Sequence, residues 1–285
     1  MDYSLVHITL LTYIRSVSYT VQSDLCDVLQ KIVRSLDRPE FNSNVDTLDA
    51  YIATINTKIN PTGFRVAKHR AQVSGDVFYV FVNTVSDEIT KVNTNYSVPE
   101  IDAIKRIIDD LIDQSDLSFS LGYVNSSQRI GQTLNKTSRE SNVLLSRLVD
   151  DGWFDVTEED RVTLSIRSIC ELKHYLIDKY GVFDGEDVSQ QSGGKLFVCR
   201  QCKELVTQGE KCVDAKCPIS FHYKCLDFYK RSNDVKCPNY DVCGYVWSDQ
   251  HDGSEDETKN ENENGIPSIP WTPPTRIGVA NPLRI

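Results

Sequence analysis

Between residues 199 and 243 the chain carries seven cysteines and one histidine, in the order Cys199-x2-Cys202-x9-Cys212-x4-Cys217-x4-His222-x2-Cys225-x11-Cys237-x5-Cys243. No other feature restricts the fold as strongly. Eight such ligands are the number that two tetrahedral zinc ions require, and a shell closed by four protein ligands leaves no position for a reactive water. The expected role of the metal is therefore structural. Two groupings stand open: a sequential one, in which Cys199, Cys202, Cys212 and Cys217 share an ion, and an interleaved one. In the second, Cys199, Cys202, His222 and Cys225 take the first ion and Cys212, Cys217, Cys237 and Cys243 the second.

Disulfides are the competing use of so many cysteines. A secreted scaffold spreads its cysteines through a small domain, whereas seven of the nine here crowd together beside a histidine. The opening stretch MDYSLVHITLLTYIRS lacks the basic start and small-residue cleavage site of a secretory signal, and no apolar run is long enough for a membrane span. The expectation is a soluble intracellular protein with reduced thiols. Cys26 and Cys170 fall on apolar helix faces and read as buried hydrophobes. The cysteine segment has few core residues of its own, chiefly Leu196, Phe197, Val206, Ile219, Phe221, Leu226, Phe228 and Val246. Metal binding, worth about 10–16 kcal/mol per structural site in small zinc peptides, supplies the folding energy such a core lacks.

Upstream, the periodicity changes from helix to strand twice in the same order. Tyr3, Val6, Leu10, Ile14 and Val17 share a helix face; a second helix follows Ser23 as N-cap; a third runs from about Asp46 to Pro61. FRVAKHRAQV and VFYVFVNT then alternate around Ser74-Gly75-Asp76, which predicts a β-hairpin. Three helices and a hairpin describe a winged helix. The order returns with a capping box at Ser97 and Glu100, a short helix around SSQRIGQTLN, and a second capping box at Thr137 and Glu140 that opens a helix burying Val143, Leu144 and Leu148. A hairpin of GWFDV and RVTLSI follows, then a closing helix, SICELKHYLIDKYG. The fold class is α+β: winged-helix domains at 1–96 and 97–183, a linker at 184–195, a zinc-binding domain at 196–247, and a tail at 248–285. The tail is acidic, then proline-rich, and is expected to be disordered.

Acidic residues outnumber basic ones by 41 to 31, and residues 97–195 carry 18 against 11. Phosphate neutralisation supplies most nonspecific nucleic-acid affinity, so this balance disfavours strong DNA binding by the chain alone and points to protein partners. Lys68, His69 and Arg70 in the first wing leave room for weak DNA contact. His7, His174 and His251 pair with no nucleophile and have no ligand spacing, and no phosphate-cradling glycine loop is present. Catalytic residues are expected nowhere in the chain.

The ligand order, four Cys, one His, three Cys, resembles the cross-brace families, RING variants and PHD fingers, and that resemblance implies the interleaved grouping. Together with the repeated helix–hairpin units it resembles the non-SMC element one subunits of the SMC five/six complex, of the fungal type. The resemblance implies a nuclear, chromatin-associated RING-like ubiquitin ligase subunit in DNA repair and recombination. Its partners would be a MAGE-like subunit, a kleisin subunit and a ubiquitin-conjugating enzyme. Conjugating-enzyme docking would use the positions of Gln201 and Pro238. Pro238 matches the ligase pattern; Gln201 stands where an aliphatic residue is usual, and Gly244 and Tyr245 stand where an arginine would follow the last ligand. Intrinsic activity is accordingly expected to be weak and partner-dependent. The alternative is a non-catalytic zinc-stapled scaffold or PHD-like module, the reader version being weakened by Val235 where an aromatic is common.

Overall fold

Residues 3–83 run helix, strand, helix, helix, hairpin, and residues 97–164 repeat that order. The computed structural model describes residues 3–36, 45–84, 96–114, 118–185, 194–232 and 235–247; the tail at 248–285 lies outside them. In the first unit, α1 (Leu5–Val17), α2 (Gln22–Ser35) and α3 (Val45–Ile59) turn Val6, Leu10, Ile14, Leu25, Leu29, Leu48, Tyr51 and Ile55 into one buried cluster. Apolar side chains three and four residues apart lie on one helix face, and burial of that face holds the helices together. The sheet is antiparallel in the order β1-β3-β2, with β1 (Tyr19–Val21), β2 (Phe64–Arg70) and β3 (Val77–Asn83). Seven residue pairs hold β2 to β3, from Phe64 opposite Asn83 to Arg70 opposite Val77.

The second unit has α4 (Val98–Ile112), β4 (Ser120–Gly122), α5 (Tyr123–Leu134), α6 (Ser138–Asp150), β5 (Phe154–Val156) and β6 (Arg161–Leu164), with sheet order β4-β6-β5. Both capping boxes form. Glu100 accepts from the Ser97 backbone N–H at 2.8 Å, and Glu140 from that of Thr137 at 2.9 Å. Each satisfies a donor that the first helical turn leaves without an intrahelical partner.

Several local expectations are corrected. The second helix begins at Gln22 with Val21 as its N-cap, not at Ser23, because β1 feeds the helix without an intervening turn. β4 feeds α5 in the same way. Val143 is 64% exposed; the inward face of α6 is Ser141, Leu144, Leu145 and Leu148, one turn position away. The closing helix is two helices, α7 (Ile166–Glu171) and α8 (Lys173–Tyr180), broken at the buried Leu172. The Ser165 side chain accepts from Ser168 N–H at the start of α7.

The cysteine segment adds β7 (Phe197–Val198), β8 (Leu205–Val206), β9 (Gly209–Lys211), β10 (Ser220–His222), α9 (Tyr223–Ser232) and α10 (Tyr240–Cys243). Its core is continuous with that of the second unit: Leu176, Leu196, Phe197, Phe221, Leu226 and Trp247 belong to one buried cluster. Phe228 and Val246, expected inside, are 58% and 43% exposed; Leu205 and Trp247 fill the interior instead. Residues 184–195 read as a linker, yet the chain on either side of them meets. Val182 and Leu196 form a parallel bridge, and Phe183 N–H donates to Leu196 O at 2.8 Å. Gly194 is required there, since a Cβ would stand 2.2 Å from the carbonyl carbon of Val182.

The three parts touch one another. Lys173 on α8 pairs with Glu204 at 2.6 Å, Tyr19 of the first unit packs on Gly152 of the second, and the turn between β2 and β3 lies against the cysteine segment. Among the described residues no helix is long and apolar enough to cross a membrane.

Candidate metal centre

Two hairpins and two short helices carry the eight cysteine and histidine side chains. Cys199 and Cys202 lie at the β7–β8 hairpin, Cys212 follows β9, and Cys217 precedes β10. His222 ends β10, Cys225 sits in the first turn of α9, Cys237 precedes the turn into α10, and Cys243 is the last residue of α10. The side chains collect into two groups, Cys199, Cys202, His222 and Cys225, and Cys212, Cys217, Cys237 and Cys243, with ligand atoms in each group within 4.8 Å of one another. The structure thus brings them together in the interleaved pattern, and the sequential one is absent.

The distances suit a shared cation. Metal–sulfur bonds of about 2.3 Å place tetrahedral sulfur corners about 3.8 Å apart, and Cys217 Sγ stands 3.8 Å from Cys237 Sγ. That is nearly twice a disulfide bond, and all nine cysteines are free thiols. His222 Nδ1 is 3.3 Å from Cys202 Sγ and 3.7 Å from Cys225 Sγ, so Nδ1 is its ligand atom. Nε2 then carries the hydrogen and donates to Leu205 O at 3.0 Å. A ligand histidine fixed through its second nitrogen by a backbone carbonyl is the usual outer arrangement of a zinc site.

The crowded thiols are pushed in opposite directions: hydrogen bonding from Cys202 lowers Cys199, and Cys243 is lowered too, whereas others are raised. Burial pushes the Cys212 thiol up to about 12 and that of Cys225 up to about 11, and it raises Cys237 as well. A divalent cation reverses this balance, so loading releases protons and acid expels the metal. Four thiolates, or three with an imidazole, form the donor set of structural zinc, and no ligand position is left over.

The remaining singled-out residues do other things. Gln201 and Pro238 are exposed, Gln201 one residue before Cys202 and Pro238 directly after Cys237. His7 is buried; its Nδ1 accepts from Ser4 N–H at 3.0 Å, its ring stacks on Tyr3, and burial lowers its pKa. His69 is half-buried, and burial likewise holds it toward the neutral form, with Glu204 opposing. Lys68 is engaged by Asp49 at 2.6 Å, and Arg70 Nη1 donates to Gly75 O at 2.8 Å. Lys68 and Arg70 are thus engaged within the first unit while remaining exposed. Cys26 and Cys170 are partly buried, and burial raises the Cys170 thiol to about 12. One contributor carries no sequence signal: Gln72, in the β2–β3 turn, reaches the loop that holds His222. A polar residue in a hairpin turn looks solvent-directed until its neighbour is known.

Comparison with known proteins supplies a family. The model of the family described as Nse1 non-SMC component of SMC5-6 complex matches residues 7–172, and that of a RING-like domain matches residues 199–240. Among curated relatives, the non-structural maintenance of chromosomes element 1 homolog of Homo sapiens is 25% identical over 228 residues, 79% of this chain and 78% of the relative. The Xenopus laevis homolog is 27% identical over 206 residues, 71% and 68% of the two chains. The element 1 protein of Schizosaccharomyces pombe is 22% identical over 213 residues, 72% and 81%. A chain of a solved Nse1-Nse3-Nse4 complex superposes with a TM-score of 0.69 at 22% identity, covering 87% of this chain and 98% of that one.

Proposed function

The chain belongs to the family of Nse1 non-SMC components of the SMC5-6 complex, and from that membership we propose that it is the RING-like ubiquitin ligase subunit of such a complex. Its place of action would be chromatin in the nucleus, in DNA repair and recombination. Two zinc ions would be held, one by Cys199, Cys202, His222 and Cys225, the other by Cys212, Cys217, Cys237 and Cys243. Bound there, they supply shape and no reactive centre. The observation that carries the reading is the crosswise grouping of the eight side chains within a domain that leaves Gln201 and Pro238 on its surface.

The units at 1–96 and 97–183, each with the element order of a winged helix, are proposed to dock the partner subunits. A likeness to a chain of an Nse1-Nse3-Nse4 complex supports two such partners, the MAGE-like and kleisin subunits of the family resemblance. Catalysis would proceed by positioning: the surface beside the metal sites holds a ubiquitin-charged conjugating enzyme so that a target lysine amine attacks the thioester carbonyl, the amide forms, and the enzyme's thiol leaves. This chain contributes no group that bonds to ubiquitin.

The test is ubiquitin-chain formation by the assembled complex with a panel of conjugating enzymes. Pro238→Ala should lower chain formation several-fold while metal content and assembly stay unchanged, because Pro238 is exposed and no ligand. A wild-type complex that makes no chains with any member of the panel would leave the scaffold reading, which the polar, exposed Gln201 favours.

A further inference from the structure

The turn between β2 and β3 belongs to the first unit, yet its Gln72 is 5% exposed and fully bonded to the cysteine segment. Gln72 Oε1 accepts from Thr207 N–H and from Gln208 N–H, each at 2.9 Å. Gln72 Nε2 donates to Leu205 O and to Thr207 Oγ1, each at 3.2 Å. Two acceptors face the amide nitrogen and two donors face its oxygen, which uses the bonding capacity of a glutamine side chain and fixes its orientation. The backbone contributes as well: Gln72 O accepts from Lys224 N–H at 3.2 Å, and Lys224 lies between His222 and Cys225. Gly75 permits the approach, for at φ +78° a Cβ there would meet the Lys224 side chain at 2.8 Å.

Leu205 O is therefore shared. It accepts from His222 Nε2 at 3.0 Å and from Gln72 Nε2 at 3.2 Å, so a residue 150 positions before His222 in sequence anchors the carbonyl that orients its ring. No such link from the first unit is seen, among the described residues, at Cys212, Cys217, Cys237 or Cys243.

We propose that Gln72 is a positioning residue for the first metal site, so that the ion held by Cys199, Cys202, His222 and Cys225 is retained only while the first unit's wing stays docked. The proposal rests on the reading of that group as a metal site. It makes the two ions unequal: the first is tied to the first unit, and the second has no such tie to it among the described residues. Undocking the wing frees the Leu205 carbonyl and the backbone between two ligands, and with them the orientation of His222. Outer-shell partners of ligand histidines commonly govern metal affinity by about 10–100-fold.

The experiment follows metal release from the full chain, loaded with two equivalents of zinc, into excess chromogenic chelator at neutral pH. In Gln72→Ala one equivalent should leave roughly 10–100-fold faster than in wild type and the other at the wild-type rate. Cobalt loading should show an altered ligand-field spectrum for the site that contains histidine and an unchanged one for the four-thiolate site. Thr207→Val, which removes a single acceptor and leaves the glutamine in place, provides a milder variant with a smaller acceleration of the same equivalent, should Gln72→Ala fail to fold. Release of both equivalents at wild-type rates overturns the proposal, as does equal acceleration of both, which is the sign of general destabilisation. A wild-type chain that binds fewer than two metals sinks the reading of the centre itself, a separate result.

Discussion

Replacing Phe221 by alanine asks whether metal binding and folding of the cysteine segment are one event. Phe221 is fully buried, packs on Tyr229 with ring centroids 4.9 Å apart, and meets Trp247 edge-on at 5.8 Å. Truncating such a ring costs about 3–5 kcal/mol in all, its aromatic contacts included. If the segment folds only as metal binds, the whole loss appears in the binding equilibrium. At about 1.4 kcal/mol per decade, the combined affinity for the two ions falls by a hundred- to several-thousand-fold. If the segment is already folded before loading, held by the core it shares with the second unit through Leu196 and Phe197, the loss falls equally on both states and affinity does not move. Competition titration against a chelator of known affinity, with the metal-free chain followed by near-ultraviolet circular dichroism, separates the cases. Unchanged affinity together with a lowered melting temperature of the metal-free chain would refute the coupling argued here.

Two further outcomes are expected. Burial pushes the Asp49 carboxyl up, but its bonds from Lys68 at 2.6 Å and from Tyr79 Oη at 2.5 Å outweigh that and hold it below the ordinary carboxylate value. A depressed carboxylate stabilises the fold above its unfolded-state pKa, and the contribution is lost as pH falls through the folded-state pKa; melting of Asp49→Asn followed from neutral to acid pH should therefore lose less stability than wild type. Gly194→Ala drives a methyl into the Val182 backbone; a loss of at least about 1–3 kcal/mol should register in thermal melts, and a wild-type melting temperature would contradict the close approach.

The sequence announced what depends on residue type and spacing, and it concealed what depends on approach. Both capping boxes could be read because Ser97 with Glu100 and Thr137 with Glu140 satisfy a local rule. The β2–β3 hairpin could be read from alternation around Gly75. β1 and β4 could not, since three residues are too few for a period and their pairing with β3 and β6 is long-range. The break at Leu172 was hidden by apolar spacing that continues through it, although Leu172 leaves helical geometry. At the metal centre the eight side chains were visible as a set, and the grouping came from family resemblance; only the fold shows which atoms converge. Trp247, the last residue of the expected zinc-binding domain, is among the most deeply buried side chains. Gln72 was invisible for a plainer reason: nothing in a turn written AQVSGD says what stands opposite.

The bridge between Val182 and Leu196 makes the stretch from 184 to 195 an excursion that departs from and returns to one spot. Its length is then nearly uncoupled from where the RING-like domain sits. Doubling a flexible loop costs only about 0.6 kcal/mol of closure entropy, and with the backbone severed between residues 185 and 194 both halves would still share one interior. An insertion between residues 185 and 194 should therefore leave the RING-like domain at the same angle, which makes that stretch a place for a reporter.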